Sequence, residues 1–98
     1  MATPDELPLP AEIADATEAN EVLRAWILDS RLTCVLHPQA FEDPVIWGML
    51  LADIARHVGH AYEQLQGLDP DAVTEAIAES FAAELAEPTD DPHGSTSD

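Results

Sequence analysis

Alternating apolar and polar positions predict two β-strands in the first half of the chain. The segments EVLRAWIL and RLTCVLHP flank the dipeptide Asp29-Ser30, and both are rich in residues that favour strands. A two-residue connection predicts an antiparallel hairpin in which Leu28 lies opposite Arg31. A slip by one residue is the alternative register, because Asp-Ser is a weaker turn signal than Asn-Gly.

The two faces of this hairpin differ in composition, because strand side chains point alternately to opposite sides. One face, called here the Ile27 face, is wholly apolar: Leu23, Ala25, Ile27, Leu32, Cys34 and Leu36. The other, called the Trp26 face, is mixed, and its apolar members are Val22, Trp26, Leu28 and Val35. Its remaining members are Arg24, Arg31, Thr33 and His37.

A helical periodicity follows the hairpin. Asp43 is a suitable N-cap and Pro44 suits the first helical position, whereas Gly67 is suited to a left-handed C-terminus. A helix over residues 44–66 would be about 34 Å long, so we expect it to cover the whole length of one hairpin face. Its apolar stripe consists of Ile46, Leu50, Ile54, Ala61 and Leu65, with Met49, Val58 and Tyr62 beside them.

The same start signal recurs at Asp69-Pro70 and predicts a second helix. Its apolar residues recur every four positions, at Val73, Ile77, Phe81 and Leu85. Because the connection between the helices is short, they should lie antiparallel to each other. The predicted fold is therefore α+β, an antiparallel β-hairpin followed by two antiparallel helices (ββαα).

The apolar character of both hairpin faces predicts a homodimer. A single helix layer covers only one face, and a two-stranded sheet is too small to be stable alone. A second copy would cover the remaining face and complete the sheet. The sequence leaves open whether the copies meet through strand edges or through the Trp26 face. The predicted interface residues are Val22, Trp26, Leu28 and Val35.

Composition divides the 98-residue chain into three parts. Residues 1–20 form an acidic, proline-containing segment that we expect to be mostly extended or disordered. Residues 21–86 form a single ββαα domain, and residues 87–98 form a disordered acidic tail. A core of this size is marginal without oligomerisation.

The net charge of −17 narrows the range of partners. The chain has three arginines, no lysine and twenty acidic residues, so we expect it to bind neither nucleic acid nor an anionic membrane. A basic protein is the expected kind of hetero-partner. The cytoplasm is the predicted location, because no signal-peptide pattern and no apolar run of about 18 residues is present.

One cluster has the spacing of metal ligands. Asp53, His57 and His60 share a side of the first helix, and carboxylate and imidazole groups bind zinc and similar ions. Solvated side chains on an amphipathic helix are the favoured interpretation, because Arg56 beside them would oppose a cation. The metal site is therefore the alternative, and we predict no metal, no cofactor and no catalytic residue.

The acidic N-terminus with LPLP, the strand EVLRAWIL and the run FEDPVIWGMLLADIARHVGHAY together resemble a known family. It is a small, mainly alphaproteobacterial domain-of-unknown-function family, number 5076 in that series, and the likeness extends over about residues 7–65. The resemblance implies no activity, cofactor or catalytic residue. The expected function is a non-enzymatic homodimeric interaction or adaptor protein, and the alternative is a small metal- or ligand-binding protein.

Overall fold

The computed structural model describes residues 5–89 and the backbone of residues 93–96. The first part of the chain contains one short helical turn, and the hairpin, the two long helices and a final strand follow it. The elements in chain order are α1 (Ala11–Ala14), β1 (Leu23–Leu28), β2 (Arg31–Leu36), α2 (Val45–Gln66), α3 (Pro70–Ala86) and β3 (His93–Thr96). The predicted ββαα order is confirmed.

The hairpin has the predicted register. Leu28 pairs with Arg31, Ala25 with Cys34, and Leu23 with Leu36. The turn is formed by two residues with positive φ, 51° at Asp29 and 65° at Ser30. This combination is typical of the type I′ turn, whose twist matches that of the paired strands, so the slip by one residue does not occur.

Both long helices begin within one residue of the predicted starts, and α2 ends at the predicted glycine. The Oδ1 atom of Asp43 accepts a hydrogen bond from the amide of Val45 at 3.0 Å, and the Asp69 side chain accepts one from the amide of Ala72 at 3.2 Å. Gly67 ends α2 with a φ of 70°. These groups satisfy amides and carbonyls that have no partner inside the helix.

A glycine allows the two helices to approach closely. Gly59 is the one buried residue among those whose exposure is described. A Cβ atom placed on it would lie 2.7 Å from Oγ1 of Thr74 and 2.8 Å from the carbonyl oxygen of Pro70. The same hydroxyl of Thr74 donates to that carbonyl. The helix pair is therefore fixed by a backbone contact that no larger residue allows.

A third strand extends the sheet. β3 pairs in parallel with β2, so the order across the sheet is β1-β2-β3. The prediction of a disordered acidic tail over residues 87–98 did not include this strand. Apolar patterning missed it because a backbone ladder requires free N–H and C=O groups and no apolar side chains. The edge of β2 supplies those groups, and β1 and β3 form the two outer edges of the sheet.

The expectation that α2 covers the hairpin is wrong for the isolated chain. No Cα atom of α2 or α3 lies within 8 Å of a strand Cα atom in the described part of the molecule. The helices pack on each other and the strands pair with each other, while Ile27 and Leu32 of the hairpin remain more than half exposed. The helical pattern predicted the helix pair, and the strand pattern predicted the hairpin. Neither pattern specified that the helices and the hairpin pack together within one chain.

Candidate functional site

The apolar surface of the sheet and helices is the feature that most distinguishes this fold. Among the residues whose exposure is described, no large apolar side chain is buried. Sixteen such side chains are exposed in the same part of the chain. Because folding depends chiefly on burial of apolar area, this surface is the candidate functional site.

The Ile27 face is open in the isolated chain. Ile27 is 75% exposed and Leu32 is 53% exposed, although the register places them opposite each other in the hairpin. Leu23, Cys34 and Leu36 on the same face are half-buried. Sequence reasoning assigned this face to the chain's own helix and so left it out of the interface. Its wholly apolar composition was the signal that it needs a cover.

The Trp26 face contains the four predicted interface residues. The structure places them on one side of the hairpin, as the register requires. Leu28 is 61% exposed, whereas Val22, Trp26 and Val35 are half-buried. Their role as an interface stays a prediction.

Arg24 connects this hairpin to the N-terminal segment. Its Nε atom donates to the carboxylate of Glu21 at 2.6 Å, and an Nη atom lies 3.5 Å from the carboxylate of Glu6. Its guanidinium carbon is 5.7 Å from the ring centroid of Trp26. The hydrogen bond and the charge of Glu21 raise the pKa of Arg24, and Glu6 adds to this effect. The positive charge of Arg24 therefore lies beside the ring of Trp26.

An open cleft of about 520 Å³ lies between that segment and β1. Its walls include the residues Leu7 to Pro10 on one side and Leu23 to Trp26 on the other. The LPLP run thus lies beside the strand, while Leu7 is 94% exposed. The cleft is too open to enclose a small molecule of the kind that needs a mostly buried pocket.

The start of α2 has an aromatic contact that sequence reasoning missed. The rings of Phe41 and Trp47 meet edge to face, with centroids 5.3 Å apart. Phe41 lies two residues before the Asp43 cap and Trp47 four residues after it. This resembles the apolar contact that commonly fixes the entry of a chain into a helix. That spacing was the signal by which the pair was recognisable.

The alternative metal ligands do not form a cluster. Asp53, His57 and His60 are all exposed, and no group of three metal-ligating side chains is suitably arranged among the described residues. The carboxylate of Asp53 accepts a hydrogen bond from Arg56 at 2.9 Å. A cation at Asp53 would have to displace that guanidinium.

Cys34 and His37 do not form a nucleophilic pair. Both side chains are half-buried, and Cys34 is a free thiol. They are three residues apart, at and just after strand β2, which puts them on opposite faces of the hairpin.

No helix in the described part of the chain is both long and apolar enough to cross a membrane.

The total exposed area of the chain is larger than that of a compact monomer of the same mass. The chain exposes 8486 Å², whereas a compact monomer of 10.6 kDa would expose about 5,500 Å². Its radius of gyration is 15.5 Å, against about 12.6 Å for a compact chain of this length. The excess of about 3,000 Å² includes the exposed N-terminal segment, residues 5–20, as well as the open apolar faces.

A solved structure of another protein has a similar fold. It is provisionally named a pyruvate dehydrogenase and comes from the photosynthetic bacterium Rhodopseudomonas palustrus CGA009. The two sequences are 44% identical, the match covers 93% of each chain, and the TM-score is 0.71. No curated protein matches this chain.

The family comparison covers most of the sequence. The matching model is described as "Domain of unknown function (DUF5076)", and it spans residues 6–89. That range includes the hairpin and both long helices. The chain therefore belongs to the DUF5076 family of domains of unknown function.

Proposed function

We propose that this protein is a non-enzymatic homodimer that acts by protein–protein interaction, as a small acidic adaptor. One observation carries the proposal: the described residues of a single chain bury no large apolar side chain. A domain held only by helix and strand hydrogen bonds would not offset the entropy lost on folding. A second copy supplies the missing apolar burial.

The Trp26 face supports a contact between copies. Leu28 is exposed, and Trp26 is the kind of large aromatic anchor that dominates binding energy in many interfaces. β1 forms one outer edge of the sheet, and such an edge is a template for pairing across a two-fold axis. Face and edge contacts are compatible in one dimer.

The adaptor role rests on charge. The residues Asp71, Glu75 and Glu79 follow each other at intervals of four along α3, and all are exposed. They therefore form an acidic stripe on one side of the helix. Together with the net charge of −17, this stripe favours encounter with a basic protein surface.

The name of the solved relative suggests a dehydrogenase, but no observation on this chain favours that activity. Among the described residues no polar or charged side chain is buried. Enzymes of small metabolites place a few polar groups in a mostly closed pocket. The relative's name is therefore not extended to this chain.

Light scattering after size exclusion tests the dimer. We expect twice the chain mass at micromolar concentration, and a melting temperature that rises with protein concentration, because association and folding are linked. A monomer that melts cooperatively at a concentration-independent temperature would contradict the proposal.

A Trp26→Glu variant tests the Trp26 face, with Gln64→Glu as a control that adds the same charge at an exposed helical position. We expect Trp26→Glu to give monomers or unfolded chains, because a carboxylate would be buried without a partner. Gln64→Glu should remain dimeric. A folded and fully dimeric Trp26→Glu protein would exclude this face as the interface.

A binding experiment tests the adaptor role. The bait is the full chain, and the matched control carries Asp71→Asn, Glu75→Gln and Glu79→Gln. We expect a basic protein from the native cell to bind the wild-type chain at low salt, and its binding to be weakened by the three substitutions and by high salt. Equal binding to both baits would contradict recognition through this stripe.

A further inference from the structure

We propose that the Ile27 face of each chain is covered by the α2–α3 pair of a second copy, and that the exchange is reciprocal. This inference rests on the proposed homodimer and adds which surfaces meet within it. It concerns the face that the chain's own helices leave open: Ile27 and Leu32 are more than half exposed, and no Cα atom of either long helix lies within 8 Å of a strand Cα atom among the described residues.

The connection between sheet and helices is long enough for the exchange. Leu36 ends β2 and Val45 begins α2, so eight residues lie between them. Eight extended residues span about 28 Å, which is more than the length of a six-residue strand, about 20 Å. A helix pair on such a connection can lie over a neighbouring sheet, as in exchange of identical elements between protomers.

The helix pair has an apolar side that is only partly covered within the chain, because Leu50 on it is half-buried while Ile54 and Ala61 are exposed. Gly59 faces α3, and at 100° per residue Leu50, Ile54 and Ala61 lie on the opposite side of α2. Ile54 is 41% exposed. This side carries apolar residues over several turns, with His57 among them. A strand face of apolar residues is the complement of its apolar part.

The areas agree with a second copy as the occupant. The excess exposed area is at most about 3,000 Å² per chain, and the exposed segment of residues 5–20 contributes to it. Permanent homodimers bury about 2,000–5,000 Å² in total, which is about 1,000–2,500 Å² from each chain. One further copy is therefore enough to cover the open face. In a two-fold symmetric dimer, the helix pair of each copy covers the Ile27 face of the other copy.

The single cysteine provides a direct test. Cys34 lies on the Ile27 face. A wild-type chain with an added tag is mixed in denaturant with an untagged Cys34→Ser chain that carries one of Leu50→Cys, Ile54→Cys or Ala61→Cys. The mixture is refolded in a glutathione redox buffer. Cys34→Ser/Arg56→Cys is the control, because Arg56 is exposed on the polar side of the same helix.

We expect a disulfide between the tagged and untagged chains for at least one of the three stripe positions, at several times the yield of the Arg56→Cys control. A non-reducing gel shows this product as a band of intermediate size. Circular dichroism establishes that each variant folds, so that a missing band is not caused by unfolding.

Two results would overturn the inference. One is the absence of the mixed band from folded, dimeric variants. The other is a chain that retains Cys34, carries Ile54→Cys and forms its disulfide within itself, because its own helices would then cover its own sheet. Light scattering on the same samples separates the two proposals: a monomer contradicts the homodimer, whereas a dimer without mixed disulfides contradicts only the exchange.

Discussion

At the scale of single residues, two left-handed residues in the turn and one arginine fix much of the local structure. Asp29 and Ser30 both have positive φ, a conformation that glycine adopts with least strain. Arg24 meets two carboxylates from different parts of the chain, Glu21 and Glu6. Each of these residues gives a prediction that does not depend on the oligomeric state.

A Ser30→Gly substitution should stabilise the hairpin. Asp-Gly is a preferred type I′ turn, and relief of a non-glycine residue at positive φ is worth about 0.5–1 kcal/mol after the entropy of the unfolded glycine is counted. Chemical denaturation measures the change in unfolding free energy. Ser30→Ala is the control and should not increase the free energy of unfolding. A loss of stability in Ser30→Gly would show that the serine side chain has a role in the turn.

An Arg24→Gln substitution should release the N-terminal segment from β1. The exposed ion pair with Glu6 adds little to global stability, so the melting temperature should change little. Hydrogen exchange of the backbone amides in residues 5–9 should become faster. Arg56→Gln has the same change in charge, but its partner Asp53 lies in the same helix, so it should leave that exchange unchanged. Equal effects of both variants would indicate that net charge is responsible.

At the scale of elements, the helix pair depends on two glycines that behave differently. A Cβ atom on Gly59 would collide with α3, whereas one on Gly48 would have no atom within 4 Å in the described part of the chain. The close approach that a glycine permits therefore does not occur at Gly48 among the described residues of one chain. The contact that needs a glycine is at Gly59.

Gly59→Ala should destabilise the protein although alanine favours helix. Overpacking costs about 1–3 kcal/mol, and the gain in helix propensity offsets about 1 kcal/mol of it. Gly48→Ala is the matched control and should stabilise α2 by up to about 1 kcal/mol. Thermal and urea unfolding measure both. If Gly48→Ala weakens the dimer, the approach at Gly48 comes from the second copy.

At the scale of the whole molecule, an open apolar surface is combined with a strongly negative charge. The copies of a dimer would each bring a charge of −17, and like charges oppose association. The apolar faces must therefore supply the attraction. This balance separates the proposed dimer from one held by ion pairs.

Added salt should strengthen the dimer. The Debye length falls from about 30 Å at 0.01 M to about 10 Å at 0.1 M ionic strength, so repulsion between the copies is screened while apolar burial is kept. We expect the dimer dissociation constant to fall and the melting temperature to rise between these concentrations, as measured by analytical ultracentrifugation and calorimetry. A dimer that dissociates on addition of salt would be held by ion pairs instead.

Local signals were sufficient for the elements themselves. The turn at Asp29-Ser30, the caps at Asp43 and Asp69 and the end of α2 at Gly67 all follow from groups within a few residues of each other along the chain. Such interactions are short-range, so the sequence alone determined the order of the hairpin and the two long helices, the hairpin register and the composition of both faces.

Only the tertiary structure decided what those elements contact. The pairing of β3 with β2 and the close approach at Gly59 both join residues that are far apart in sequence. The distance between the helices and the sheet also depends on the whole fold. Apolar patterning shows that a face must be covered. Because apolar burial is non-directional, the pattern does not show which surface, or which copy, covers it. That choice depends on geometry across the whole fold.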